Sequence, residues 1–130
     1  MMAKVKVLLI EDDITLSKMY EKKFKTEGYE TMTAYDGLDG LEKATKEKPD
    51  MVVLDVMLPK LDGLAVFKKM RSNPATFKIP VLLLTNFDQE DAVFEAFKLG
   101  ALDYLIKSEV TPQKVVTKVE SLLKAQPKSK

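Results

Sequence analysis

The sequence predicts an α/β domain built on an open, doubly wound parallel sheet, and three observations lead there. Apolar runs and helically patterned segments alternate five times along the chain. The runs at 5–10 (Lys6 apart), 51–54 and 81–84 are apolar without alternation, as in parallel strands covered on both faces. Residues that start and stop elements stand at the joints, among them Gly28, Asp36, Pro49, Gly100 and Thr111. The right-handed crossover rule leaves few topologies for this order, and closing a barrel would need more strands.

Each element has its own justification. Residues 5–10 are the first strand. Over 14–26, Leu16, Met19, Tyr20 and Phe24 recur at helical spacing, and Gly28 closes that helix. YETMTAY (29–35) is rich in β-branched and aromatic residues and predicts the second strand. Asp36 caps a second helix whose apolar positions are Leu38, Leu41 and Ala44, with Pro49 after it. The third strand is 51–54 and the third helix runs from about Gly63 to Arg71. SNPATFKIP is a loop dense in breakers, followed by the fourth strand, 81–84. The fourth helix begins near Asp88 and ends before Gly100. Ala92, Val93, Phe94, Ala96, Phe97 and Leu99 give it more apolar surface than one buried stripe needs. Residues 102–106 are the fifth strand. Thr111 and Pro112 then cap and open a fifth helix with Val115, Val116, Val119, Leu122 and Leu123 on one stripe.

Composition bounds the function. At 130 residues and 45% hydrophobic, one domain with a real core is expected over 1–130, its core at about 4–125 and a solvated tail at 126–130. The 21 basic and 20 acidic residues leave a net charge of +1, so no direct nucleic-acid partner is expected. There is no cysteine and no histidine, which removes Ser-His-Asp and Cys-His mechanisms and zinc sites built from those residues. Any metal must be held by oxygen, which points to magnesium, manganese or calcium. The apolar run near the start is too short for a membrane span and no small-residue cleavage site follows it, so a cytoplasmic protein without membrane insertion is expected.

Open doubly wound sheets bind ligands beyond the carboxyl ends of their strands. Glu11, Asp12 and Asp13 follow the first strand, Asp55 the third, Thr85 and Asn86 the fourth, and Lys107 and Ser108 the fifth. Asp13 is better explained as the cap of the first helix, and each of the others is ordinary alone. Asp55 is the least ordinary, because VVLDVMLP offers it no helix to cap. An unpaired buried charge costs roughly several kcal/mol, so Asp55 must reach solvent or be compensated. Converging acids would repel at roughly 4 kcal/mol per close pair at an effective dielectric of ~20. A divalent cation removes that penalty, and oxygen-only ligation with retained waters suits Mg2+.

VLLIEDD, VVLDVMLPKLDG, IPVLLLTN and GALDYLIK, in this order and spacing, resemble the response-regulator receiver domain of bacterial two-component signalling. The resemblance covers nearly the whole chain. It implies a flavodoxin-like sheet in the order 2-1-3-4-5 and a phosphoprotein rather than an enzyme, one that catalyses only its own phosphorylation and dephosphorylation. Asp55 would accept a phosphoryl group from a sensor histidine kinase or a histidine phosphotransfer protein. Asp12 and Asp55 would bind Mg2+ (or Mn2+) directly, Glu11 through water, and Met57 through its backbone carbonyl. Lys107 would pair with the phosphoryl group, Thr85 would donate its hydroxyl to it, and Tyr104 matches the aromatic switch position. Output would pass to a protein target, or to a second copy of the chain, through the fourth helix, fifth strand and fifth helix.

The family's lysine is usually followed by a proline, often after a cis bond; here Ser108 follows Lys107. A trans bond is expected, since cis costs about 2.5–4 kcal/mol before a non-proline residue. Met57 and Phe87, two residues beyond Asp55 and Thr85, should flank the path of a hydrolytic water, and both are apolar. Slow loss of the phosphoryl group is therefore expected. Three other functions compete. An aspartyl-phosphate phosphatase would want a second acid where Met57 stands. A nucleotide or flavin binder would want a Gly, Ser or Thr-rich loop where EDDITL stands. An interaction domain that is never phosphorylated would not need the full set of acids, Thr85 and Lys107.

Overall fold

The computed structural model describes residues 4–86 and 88–126; Phe87 and the end of the expected tail, 127–130, lie outside the described residues. In chain order the elements are β1 (Lys6–Ile10), α1 (Ile14–Thr26), β2 (Glu30–Ala34), α2 (Gly37–Glu47), β3 (Met51–Asp55), α3 (Gly63–Arg71), β4 (Val81–Thr85), α4 (Glu90–Lys98), β5 (Asp103–Ile106) and α5 (Pro112–Ala125). A short 3-10 turn, Lys107–Glu109, links β5 to α5. All strand pairs are parallel, in the order β2-β1-β3-β4-β5.

Two strands run one residue further than their apolar content suggests, and each added residue is one of the candidate site residues. Asp55 closes β3 opposite Leu84, and Thr85 closes β4 opposite Ile106. Ladder pairing with neighbouring strands, rather than side-chain polarity, decides where a central strand stops. Conversely, β1 starts at Lys6 and β5 at Asp103, while α4 starts at Glu90 rather than near Asp88.

Side chains alternate between two cores, one on each face of the sheet. Val7, Leu9, Val53 and Leu84 pack with Tyr20 and Phe24 of α1 and Val116 of α5. Leu8, Ile10, Leu54 and Leu83 pack with Phe67 and Met70 of α3 and with Ala44 and Ala96. The α1 stripe differs from the expected one: Ser17, Tyr20 and Phe24 are buried, whereas Met19 is half exposed. Likewise Leu38 faces outward on α2, where Gly37, Gly40 and Ala44 meet the core.

The element ends follow their capping residues. The carboxylates of Asp13, Asp36 and Asp62 accept from backbone N–H groups three residues on, at 3.0, 2.8 and 3.0 Å. Thr111 caps α5 in the same way ahead of Pro112. Gly28, after α1, takes φ +94°, a left-handed conformation open to glycine at little cost. Among the described residues no helix is long and apolar enough to cross a membrane.

Candidate functional site

Three parallel strand ends meet at the carboxyl edge of the sheet. Because β3 lies between β1 and β4, the chain after β1 and the end of β3 are neighbours, and Lys107 enters from the far side of β4. Asp55 is only 1% exposed, as is Glu11, so neither carboxylate reaches bulk solvent. Their charge is met inside the fold. Lys107 Nζ donates to Asp55 Oδ2 at 2.8 Å and lies 2.8 Å from Glu11 Oε1. The backbone N–H of Met57 donates to Asp55 Oδ1 at 3.1 Å, and that of Asp13 donates to Glu11 Oε2 at 2.9 Å. Lys107 Nζ therefore bridges Asp55 Oδ2 and Glu11 Oε1. The Lys107–Ser108 bond is trans, as expected.

The electrostatics follow from this geometry. Burial pushes the Glu11 carboxyl up to about 7; Lys107 and the Asp13 N–H oppose the rise, and the Asp55 charge adds to it. Burial by itself would lower the Lys107 ammonium, but the Asp55 and Glu11 carboxylates outweigh it and hold the group well above the usual lysine range. Burial also pushes the Tyr20 phenol up to about 12.

One carboxylate oxygen from each of Glu11, Asp12 and Asp55 can be chosen so that all three lie within 4.8 Å of one another. Two of these residues are buried and Asp12 is exposed, so the cluster opens to solvent on the Asp12 side. Hard oxygen donors in this arrangement, with no nitrogen or sulfur among them, fit a small divalent cation.

Thr85 is buried at the end of β4, but its hydroxyl is engaged by the Asn86 carbonyl at 3.0 Å and by Gln89 Oε1 at 3.1 Å. Tyr104 on β5 is exposed, and its ring meets Phe97 edge-on with centroids 6.0 Å apart. Phe94 (66% exposed) joins them, so the surplus apolar surface expected of α4 does face solvent. Asp13 caps α1 as read from the sequence. Met57 holds Asp55 through its amide, while its side chain is 58% exposed. The sequence reading passed over Gln89. Its signal was its place just before α4, where a shorter capping residue is the norm.

A family model described as the response regulator receiver domain matches residues 7–120. Among curated relatives, the alkaline phosphatase synthesis transcriptional regulatory protein PhoP of Bacillus subtilis is 40% identical over 92% of this chain and 48% of its own length. The chain spans about half the length of the first curated relatives it matches. Among solved structures, the chemotaxis response regulator CheY4 of Vibrio cholerae is 28% identical with a TM-score of 0.84, covering 92% of this chain and 99% of that one. The phosphorylated cyanobacterial phytochrome response regulator RcpA is 26% identical with a TM-score of 0.82, covering 97% and 98%.

Proposed function

The chain belongs to the response-regulator receiver domain family, and from that we propose that it is switched by transfer of a phosphoryl group to Asp55. The observation that carries the proposal is the 2.8 Å contact between Lys107 and Asp55 beside the carboxylates of Glu11 and Asp12. A buried aspartate held by an ammonium on one oxygen and a backbone N–H on the other is a preorganised nucleophile with a positive charge beside the oxygens an incoming phosphoryl group would bring.

In the reaction we propose, a carboxylate oxygen of Asp55 attacks phosphorus in line with the donor's phosphorus–nitrogen bond. The new bond is an acyl phosphate, and the departing imidazole nitrogen is protonated from solvent. The donor is a sensor histidine kinase or a histidine phosphotransfer protein. Lys107 follows the phosphoryl oxygens as charge moves from the carboxylate onto them. Thr85 donates its hydroxyl to one of those oxygens. Asp12, Asp55, Glu11 and the Met57 carbonyl would hold Mg2+, or Mn2+ in its place, and the bound ion would neutralise the oxygens of the transferring group. The ligand set supports this reading because it is made only of oxygen and opens to solvent at Asp12.

The proposed output passes through α4, β5 and α5, where Phe94, Phe97 and Tyr104 expose apolar surface. Its recipient is a protein target or a second copy of the chain. The same reading takes the chain as one receiver domain working in the cytoplasm.

The test uses acetyl phosphate with Mg2+, followed by intact-mass measurement. Wild type should gain one phosphoryl group and Asp55→Asn none, and the amide shifts caused by beryllofluoride should cluster on the α4–β5–α5 face. Equal labelling of Asp55→Asn would overturn the acceptor assignment. A wild type that takes no phosphoryl group would favour an unphosphorylated interaction domain.

A further inference from the structure

The Thr85 hydroxyl is already committed before any phosphoryl group arrives. A hydroxyl has one proton to give, and here the Asn86 carbonyl and Gln89 Oε1 share it at 3.0 and 3.1 Å. The orientation of the Gln89 amide is fixed by its second partner. The Asn86 N–H, which can only donate, lies 2.8 Å from the same Gln89 atom, so that atom is the oxygen. Asp55, by contrast, is served by Lys107 and the Met57 N–H, and no hydrogen bond joins it to Thr85.

Gln89 stands at the N-cap of α4 yet makes no capping bond. Its side chain reaches back across the β4–α4 loop to the end of β4. It also lines two depressions. One, of about 650 Å3, contains Met57, Asp62 and Asp88; the other, of about 300 Å3, contains Thr85, Phe97 and Tyr104. A side chain in this place is tied both to the phosphoryl side of the loop and to the aromatic face.

We infer that Gln89 is a positioning residue that holds the Thr85 hydroxyl in its unphosphorylated arrangement and competes with the phosphoryl group for its single proton. The inference rests on the proposed phosphoryl transfer to Asp55 and adds a chain-specific brake to it. Recruiting Thr85 to a phosphoryl oxygen strips Gln89 Oε1 of one of its two donors and loosens the entry to α4. Removing Gln89 leaves the Asn86 carbonyl as a competitor, so only part of the hold is lost. The active arrangement should then be favoured about two- to fivefold, the lower part of the range for one net hydrogen bond.

The experiment uses the full chain, with beryllofluoride and Mg2+ as the phosphoryl mimic. In ligand-free protein, three-bond methyl couplings should show one χ1 rotamer for Thr85 in wild type and an averaged one in Gln89→Leu and Gln89→Ala. Beryllofluoride should bind both variants about two- to fivefold tighter. In a Thr85→Val background the Gln89→Leu gain should vanish, which a general loosening of the loop would not produce. An unchanged Thr85 rotamer in both variants, or an equal affinity gain in the Thr85→Val background, overturns the inference. A wild type that does not bind beryllofluoride overturns the phosphoryl-acceptor reading instead, and the ligand-free rotamers then still decide the role of Gln89.

Discussion

Asp55 combines near-complete burial with a full set of partners, and this is what makes a strand-end carboxylate tolerable and useful. Lys107 and the Met57 amide satisfy its two oxygens, so the charge persists in a place where an isolated one would be protonated or excluded. Asp12 differs by being exposed and free of that network, which makes it the proposed ligand whose loss should disturb the fold least and metal binding most. Asp12→Ala should raise the Mg2+ concentration needed for half-maximal phosphorylation by at least the order of tenfold that loss of even an outer-shell partner causes. Phosphorylation rates across a Mg2+ titration check this, and a dependence equal to wild type would remove Asp12 from the site. Met57 makes a different case. Its amide is structural while its side chain lies in the open cleft beside the site. Met57→Asn keeps the amide and adds a group able to orient water. Loss of the phosphoryl group should become several-fold faster at unchanged Mg2+ affinity, as phosphate-release kinetics would show.

At the scale of elements, the start of α3 is what seats the end of β3. The Gly63 N–H donates to the Val56 carbonyl at 2.8 Å, and Asp62 caps the helix. A Cβ on Gly63 would lie 2.0 Å from the Asp55 carbonyl oxygen and 2.8 Å from Val56 Cα. Backbone cannot yield as a flexible side chain does. Gly63→Ala should therefore cost about 1–3 kcal/mol, toward the upper end of that range, and should slow phosphorylation because the displaced segment carries Asp55. Denaturant melts and acetyl phosphate kinetics on the same variant should change together. The α4 helix contrasts with α3: it buries only Val93 and Ala96 and turns Phe94 outward. Its entry is tied to β4 by Gln89 rather than by a capping bond.

For the whole molecule, the buried acids link stability to pH and to metal. Glu11 titrates near 7 in the folded chain against an ordinary value of 4.5. Between those values the folded state holds a proton that the unfolded state has released, so stability falls as pH rises through that window and levels off above it. Lys107 is raised by Asp55 and Glu11, so its contribution is intact below the ordinary lysine range and does not alter the sign here. A cation that binds the ionised acids of the folded state offsets the loss where Glu11 is deprotonated. Mg2+ should therefore raise the melting temperature more at about pH 8 than at about pH 5.5. Glu11→Gln should flatten the metal-free pH slope. Thermal melts with and without chelator check both, and equal Mg2+ effects at the two pH values would sink the linkage.

The alternation of five apolar runs with helical patterns, and the acids, threonine and lysine at the strand ends, were legible in the sequence because they depend on local periodicity and on chain position. Asp13, Asp36 and Thr111 as caps were legible for the same reason, since a cap acts on residues three positions away. Strand order and receiver identity entered through the resemblance of four motifs taken together. The outward placement of Met19 and Leu38 was not legible, because which side of an amphipathic helix is buried depends on what packs against it. The approach of Lys107 to Asp55 was legible only through the resemblance, because it joins residues 52 positions apart across the order β3-β4-β5. Glu11 is an acid in the sequence; only its burial in the fold, with the Asp55 charge beside it and against the pull of Lys107, makes it one that titrates near 7. The hold of Gln89 on Thr85 likewise spans only four positions but depends on how the β4–α4 loop folds back. Tertiary structure decided these features because burial, charge pairing and competition for a single proton are set by neighbours in space.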